Sequence, residues 1–563
     1  MSLLDALGLY MFLPLFQLVN EEGSIDPSAM GKLSIIIESI QDLGISLTMG
    51  KIILVMLIFF ILKAVVKYFG SIYLIALQQS FIRRIRLQLL NGLNQLNFEK
   101  FMIADTGRIQ NTLSGEVDRI SSAFTTYFGT LRNFLMAGVY LIFAFLINPG
   151  FAILVIVFGI LSHFLFSLVY NRTRFTSRKL TAENNLFQGR IIQHVAHFKY
   201  LRSTGVIDKF SEKVKDSILS IENSRKRLGV LSSIGGAVVE PVVIVILVAV
   251  LYIQFNWLGG TLSTALVSLM FFFRAITSSI QLQAQWNTFL GVSGSLENIE
   301  DFFDMFQKNK TTDGEISFHK FQHEINIENL FFSYGKTPVL KDINLRISKN
   351  ETIAFVGESG SGKTTLISLI TGLLQPQKGS ITIDGMALQE IKAKTFQKRI
   401  GYVSQDPVIF EDTLYNNICL WEPDNEQNQT HFRESIRKAS LEEFINTLED
   451  KENTLLGKNG INLSGGQKQR VSIARELFKE VDILILDEAT SSLDSETEKV
   501  IQESIDALQG SYTILIVAHR LSTIKNADRI VFMDKGKIID IDSFENLMEK
   551  QQRFKRMVEL QEL

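Results

Sequence analysis

Glu351-Thr-Ile-Ala-Phe-Val-Gly357-Glu358-Ser359-Gly360-Ser361-Gly362-Lys363-Thr364-Thr365 is an apolar, β-branched run that breaks into glycines and then enters a helical pattern. Glycines at 357, 360 and 362 let backbone N–H groups turn inward around an anion. Lys363 is placed to reach outer phosphates. Thr364 offers a hydroxyl to a divalent cation at a helix N-terminus, whose dipole favours negative charge. The bland alternative is an ordinary glycine-rich turn, so the flanking sequence has to decide.

Downstream, the pattern is that of alternating strands and helices. Ile400-Gly-Tyr-Val-Ser-Gln405 reads as a strand ending in an amide side chain. Residues 430–450 read as a helical insertion, with Phe432, Ile436, Ala439, Phe444, Ile445 and Leu448 on its apolar face. In Leu463-Ser464-Gly465-Gly466-Gln467, Ser464 and Gln467 have capping-box spacing at a helix start. That is either a plain cap or, with two glycines behind it, a second anion-holding peptide. Asp482-Ile-Leu-Ile-Leu-Asp487-Glu488 is the near-continuous apolar run of a strand buried on both faces. Adjacent strand residues point oppositely, so Asp487 is expected to face a cation and Glu488 an attacking water. Thr513-Ile-Leu-Ile-Val-Ala-His519 reads as a further buried strand, ending in an imidazole on the same sheet edge. Upstream, the strand from Glu324 ends in Tyr334, which either stacks on a base or packs at the edge.

The half preceding this unit is of another kind. Apolar stretches at 3–19, 52–77, 124–147, 151–170, 231–254 and 261–283 are each long enough to span a bilayer, and a polar linker at 301–322 separates them from an α/β domain at 323–563. The expected fold class is therefore an all-α six-helix transmembrane domain, residues 1–300, followed by an α/β phosphate-loop domain with a helical subdomain. Lys and Arg cluster in the second and fourth connections, among them Arg83, Arg84, Arg172, Arg174, Arg225 and Arg227. The positive-inside rule puts these connections, and both termini, in the cytosol. They read as long helical extensions with polar tips near Asp105 and His197-Phe198. Residues 28–47 have apolar positions at mostly helical spacing, which fits either an amphipathic helix on the outer surface or a packed turn of helix. A net charge of −2 without a dominating basic block argues against nucleic acid, and Cys419, the single cysteine, excludes an intrachain disulfide.

Ionisable residues inside spans often mark pathways. Lys63 lies about 17 Å into its span by helical rise, Arg274 falls at a similar depth, and Lys67 is near enough to the inner surface to snorkel. Two cations at one level suggest an anionic cargo; the alternative is that they pair with acids or line a hydrated cavity. Arg132 and Glu240, also matched in depth, are expected to form a structural ion pair.

In this order the motifs resemble those of ATP-binding-cassette transporters, and six spans before one cassette resemble a half-transporter of the exporter type. The resemblance implies that Tyr334, Gly357 to Thr365 and Gln405 bind ATP, with Thr364, Gln405 and Asp487 around Mg²⁺. It implies catalytic roles for Glu488 and His519. It also implies a homodimer in which Leu463, Ser464, Gly465, Gly466, Gln467 and Asp494 of one chain close over ATP held by the other, and tips near Asp105 and Phe198 that push on a cassette. The expected activity is ATP hydrolysis coupled to transport by alternating access, in a bacterial inner membrane with the cassette in the cytosol. Within the exporters, the outer-loop pattern and the cations look most like flippases of lipid-linked oligosaccharides, with Lys63, Lys67 and Arg274 as candidate cargo residues. Export of lipid A, peptides or drugs, and an ATP-gated channel, are the alternatives. The chain departs from the family by beginning almost inside its first span, which implies either a start further upstream or a short span. It departs again in Thr454-Leu-Leu-Gly-Lys458-Asn-Gly460, which lacks the acidic residue often found before the signature.

Overall fold

The computed structural model describes residues 1–20, 48–147, 149–253, 262–488, 495–518, 520 and 524–560. The chain divides into two compact units, one of residues 1–96 with 103–310 and the other of residues 97–102 with 311–563.

The first unit is helical: α1 (Ser2–Tyr10), α2 (Phe12–Asn20), α3 (Met49–Asn94), α4 (Val117–Ile147), α5 (Pro149–Ala196), α6 (Ile207–Ile253), α7 (Leu262–Leu290) and α8 (Ser293–Lys308). Among the described residues, four stretches are long and apolar enough to cross a membrane: Ser2–Val19, Met49–Asn94, Thr106–Ile147 and Leu266–Leu290. The expected spans 151–170 and 231–254 lie on the continuous helices α5 and α6, and α6 runs through Pro241 without a break. Pro14 lacks the N–H that would bond the Tyr10 carbonyl, and the first span breaks at Met11 between α1 and α2. The polar tips are short helices: Thr106–Asn111, whose cap Asp105 accepts from the Arg108 N–H at 3.1 Å, and Phe198–Ser203. Residues 301–308 were expected to be linker. They instead complete α8, because Phe302 and Phe306 keep its helical apolar face buried, and the irregular segment begins only after Lys308. The outer-surface helix at 28–47 and the turn at 256–260 lie outside the described residues.

The core of the membrane unit contains a polar cluster. Asp5 is fully buried, on the helix that contributes Leu9 and Tyr10 to an apolar core with Phe271 and Phe272. Lys63 of α3 donates to one of its carboxylate oxygens, and the Tyr140 hydroxyl of α4 donates to the other. Asp5 is about 22 Å of helical rise below Asn20, and Lys63 about 21 Å below Met49. The Asn20 and Met49 ends of the two antiparallel helices therefore reach a common level when the pair forms.

The second unit has two sheets. Four antiparallel strands, in the order β2 (Thr337–Ser348), β1 (Glu324–Tyr334), β4 (Lys378–Ile383) and β5 (Met386–Ala387), form one. The other has six, in the order β10 (Lys537–Asp542), β9 (Arg529–Asp534), β3 (Thr352–Val356), β8 (Thr513–Val517), β7 (Ile483–Asp487) and β6 (Ile400–Val403), parallel except for β10. β3 and β8 are buried at every position, which is why their sequences lack the alternation of a one-sided strand. Helix α9 (Lys363–Ile370) follows β3. The insertion folds as α10 (Glu426–Lys438) and a short helix, Glu442–Thr447, burying Phe432, Ile436, Ala439 and Ile445 against α11 (Gly465–Phe478). α12 (Ser495–Asp506) precedes β8.

Candidate active site

Parallel register brings the expected site residues to one edge of the six-stranded sheet. Phe355 of β3 pairs with Val517 of β8, Val517 with Asp487 of β7, and Leu486 with Val403 of β6. The phosphate loop, both acidic residues and Gln405 thus leave the sheet side by side.

The loop is shaped by its glycines. Gly362 has φ +104°, and a Cβ there would lie 2.6 Å from the Leu340 side chain. At Gly357 a Cβ would meet the Met533 carbonyl oxygen at 2.2 Å. A side chain at 357 would require the backbone to shift, and one at 362 would have to hold a left-handed φ and displace Leu340. Lys363 is buried at the start of α9, with Nζ donating to the carbonyls of Gly357 at 2.8 Å and Glu358 at 3.1 Å. Burial lowers its pKa, while the Glu488 and Asp487 charges act in the opposite direction. Those two carboxylates therefore lie within electrostatic reach of the ammonium.

The two acids differ for a reason other than strand alternation. β7 ends at Asp487, and Glu488 lies beyond it with φ +50°, its N–H donating to the Val517 carbonyl at 2.9 Å. A left-handed residue, rather than the opposite face of a strand, separates the two side chains. Gln405 donates its amide to Glu488 Oε2 at 2.7 Å, and the Tyr402 hydroxyl donates to Asp487 Oδ2 at 2.7 Å. Burial first, and the Asp487 carboxylate second, push the Tyr402 pKa upward, which keeps the phenol a donor. Sequence reading passed over Tyr402; its signal was an aromatic three residues before Gln405.

Ser464 caps α11 with the reciprocal bonds that its spacing predicts. Its hydroxyl accepts from the Gln467 N–H at 3.3 Å, and its own N–H donates to Gln467 Oε1 at 2.8 Å. Ser464 and Gly465 are exposed, whereas Leu463 and Gly466 are buried. Tyr334 ends β1 half-buried, edge-on to Phe332 at 4.9 Å between ring centroids. Asp494 and His519 lie outside the described residues.

Of the candidate cargo residues, Lys63 follows the alternative reading, in which it pairs with an acid. It does not await a counter-charge from cargo or water, because Asp5 supplies one. The antiparallel pairing of the helices brings Asp5 level with Lys63. Lys67 and Arg274 are exposed, and Arg274 has no acid partner among the described residues. The Glu240 side chain, expected opposite Arg132, lies outside the description.

Comparison with known proteins identifies the family. Residues 340–491 match the "ABC transporter" family and residues 17–284 the "ABC transporter transmembrane region". The heterocyst differentiation ATP-binding protein HepA of Nostoc is 30% identical over 87% of this chain and 80% of its own length. The ATP-dependent lipid A-core flippase of Haemophilus ducreyi is 30% identical over 90% of this chain and 88% of its own, and that of Hahella chejuensis 30% identical over 91% and 88%. The structure of a bacterial Atm1-family ABC exporter with ATP bound superposes with a TM-score of 0.79 at 20% identity, covering 100% of this chain and 96% of that one. The chain belongs to the ABC transporter family, as an exporter-type half-transporter that binds ATP and couples its hydrolysis to transport across a membrane.

Proposed function

We propose that two copies of this chain assemble head to tail and move an anionic, lipid-linked glycan from the inner to the outer leaflet, with the cassettes in the cytosol. The reading of the site is carried by the juxtaposition of Lys363, Asp487, Glu488 and Gln405 at one sheet edge, and by the exposure of Ser464 and Gly465 at the start of α11. In the head-to-tail dimer, the phosphate loop of one chain is completed by the signature peptide of the other. The oxygens of Thr364, Gln405 and Asp487 form the hard donor set that suits Mg²⁺, which when bound neutralises charge on the outer phosphates. Gln405 spends its N–H on Glu488 and keeps its carbonyl oxygen for such a cation. Lys363 and the loop amides hold the phosphates, and Glu488 orients the attacking water.

The composite arrangement has a direct test. Lys363→Ala and Ser464→Ala chains, each inactive alone, should regain roughly a quarter of the wild-type ATPase rate when mixed, since roughly half of random dimers carry one of two intact sites. Full-rate hydrolysis by separated monomers would refute it.

The cargo reading is supported by the 30%-identical relatives that are lipid A-core flippases, and by Arg274, an exposed cation on α7 without an acid partner among the described residues. A lipid-linked oligosaccharide and a lipid A-type glycolipid both combine phosphate and sugar in their head groups. In proteoliposomes, Arg274→Gln should slow flipping of a pyrophosphate-linked lipid about tenfold, the order expected when one charged hydrogen bond is lost, while leaving basal ATP hydrolysis in place. Equal transport of a neutral lipophile by wild-type protein would favour general hydrophobic export instead.

A further inference from the structure

We propose that Tyr402 is a positioning residue for the metal-binding carboxylate of the ATPase site. Its hydroxyl donates to Asp487 Oδ2 at 2.7 Å across the β6–β7 pair, where Tyr402 is registered against Ile485, two residues before Asp487. The ring is half-buried and cannot swing freely. Its backbone N–H donates to Glu476 Oε2 at 3.3 Å on α11, and the neighbouring Gly401 packs so closely that a Cβ there would stand 3.0 Å from Glu476 Cβ. β6 is thus held on one side by α11 and on the other by β7, and the phenol is presented from a fixed base. A carboxylate can offer either oxygen, or both, to a cation. With Oδ2 occupied by a neutral donor, Oδ1 is left with unshared electron pairs and one orientation, so the cation is met by a preformed ligand rather than a rotating one. Gln405, three residues further along, contacts Glu488 through its amide nitrogen. The end of β6 therefore orients both acids of β7's exit, each through a different side chain.

This rests on Asp487 as a cation ligand, and the test separates the two claims. Full-length protein in nanodiscs is loaded with adenylyl imidodiphosphate, and Mn²⁺ binding is titrated by electron paramagnetic resonance for wild type, Tyr402→Phe and Asp487→Asn. Affinity for the fluorescent nucleotide mant-ATP is measured in parallel with EDTA present. Tyr402→Phe should weaken Mn²⁺ about tenfold, the lower end for loss of an outer-shell partner, with metal-free nucleotide affinity and melting temperature unchanged. Its ATPase activity should return towards wild type as Mg²⁺ is raised. Unchanged Mn²⁺ affinity in Tyr402→Phe, with weakened affinity in Asp487→Asn, overturns the role of Tyr402 alone. Unchanged affinity in both removes Asp487 from the metal site and the inference with it. A Tyr402→Phe chain that loses metal-free nucleotide affinity or melts earlier has lost a structural contact, and that too overturns the proposal.

Discussion

Glu488→Gln is expected to lower ATP turnover by about two to three orders of magnitude while ATP still binds, because the amide cannot accept the proton of an attacking water. The phosphate cradle does not include this side chain: Lys363 reaches the loop carbonyls of Gly357 and Glu358, and the glycine geometry is set by Leu340 and Met533. Gln405 now donates to Glu488 Oε2 at 2.7 Å, and glutamine at 488 still presents an amide oxygen to accept that bond. Single-turnover hydrolysis with equilibrium nucleotide binding separates the two effects. A variant that hydrolyses ATP at the wild-type rate takes Glu488 out of the reaction.

A comparable loss, of stability rather than rate, is expected at the membrane core. Asp5 is fully buried and Lys63 retains 21% side-chain exposure, so Asp5→Ala leaves an ammonium facing Phe60 and the α1 core without its counter-charge. Breaking one side of a buried pair costs about 3–5 kcal/mol, and the partial exposure of Lys63 places this case towards the lower end. The joint change Asp5→Leu, Lys63→Met and Tyr140→Phe should recover most of that loss, since three apolar side chains of similar size need no partner and no buried hydroxyl is left without its acceptor. Melting of detergent-solubilised protein compares the three. If Asp5→Ala melts with wild type, the pair does not hold α1 to α3. For the same reason Lys63→Gln is a poor probe of cargo, because it strands the Asp5 carboxylate, whereas Arg274→Gln strands no acid among the described residues.

What was legible in the sequence was local. The glycines at 357 and 362, the Ser464–Gln467 capping box and the apolar run into Asp487 each act over a few residues, and their spacing alone fixes the backbone they need. The contacts that tune the site are not local. Tyr402 meets Asp487 only because β6 and β7 are neighbours, and nothing in Ile400-Gly-Tyr-Val states the order of strands. Glu488 was assigned its own direction by strand alternation, whereas a left-handed φ of +50° gives it one. Asp5 and Lys63 stand 58 residues apart, and depth counting from span ends could not align an acid near the beginning of one helix with a base in the middle of another.

That separation bears on how the protein is made. Asp5 leaves the ribosome 58 residues before Lys63, so the first span has to enter the bilayer with a carboxylate that has no lysine yet to meet. An acid inside a span opposes insertion by about 2.5–3.5 kcal/mol at the centre and by less towards the end, where Asp5 stands. The break at Met11 further weakens α1 and α2 as a single inserting rod. The first span is accordingly a poor insertion signal until α3 arrives, and the unit that partitions into lipid is the antiparallel pair joined across Asp5 and Lys63. A truncated nascent chain ending before residue 49 would then remain extractable from the membrane by alkaline carbonate, whereas one extending past α3 would not.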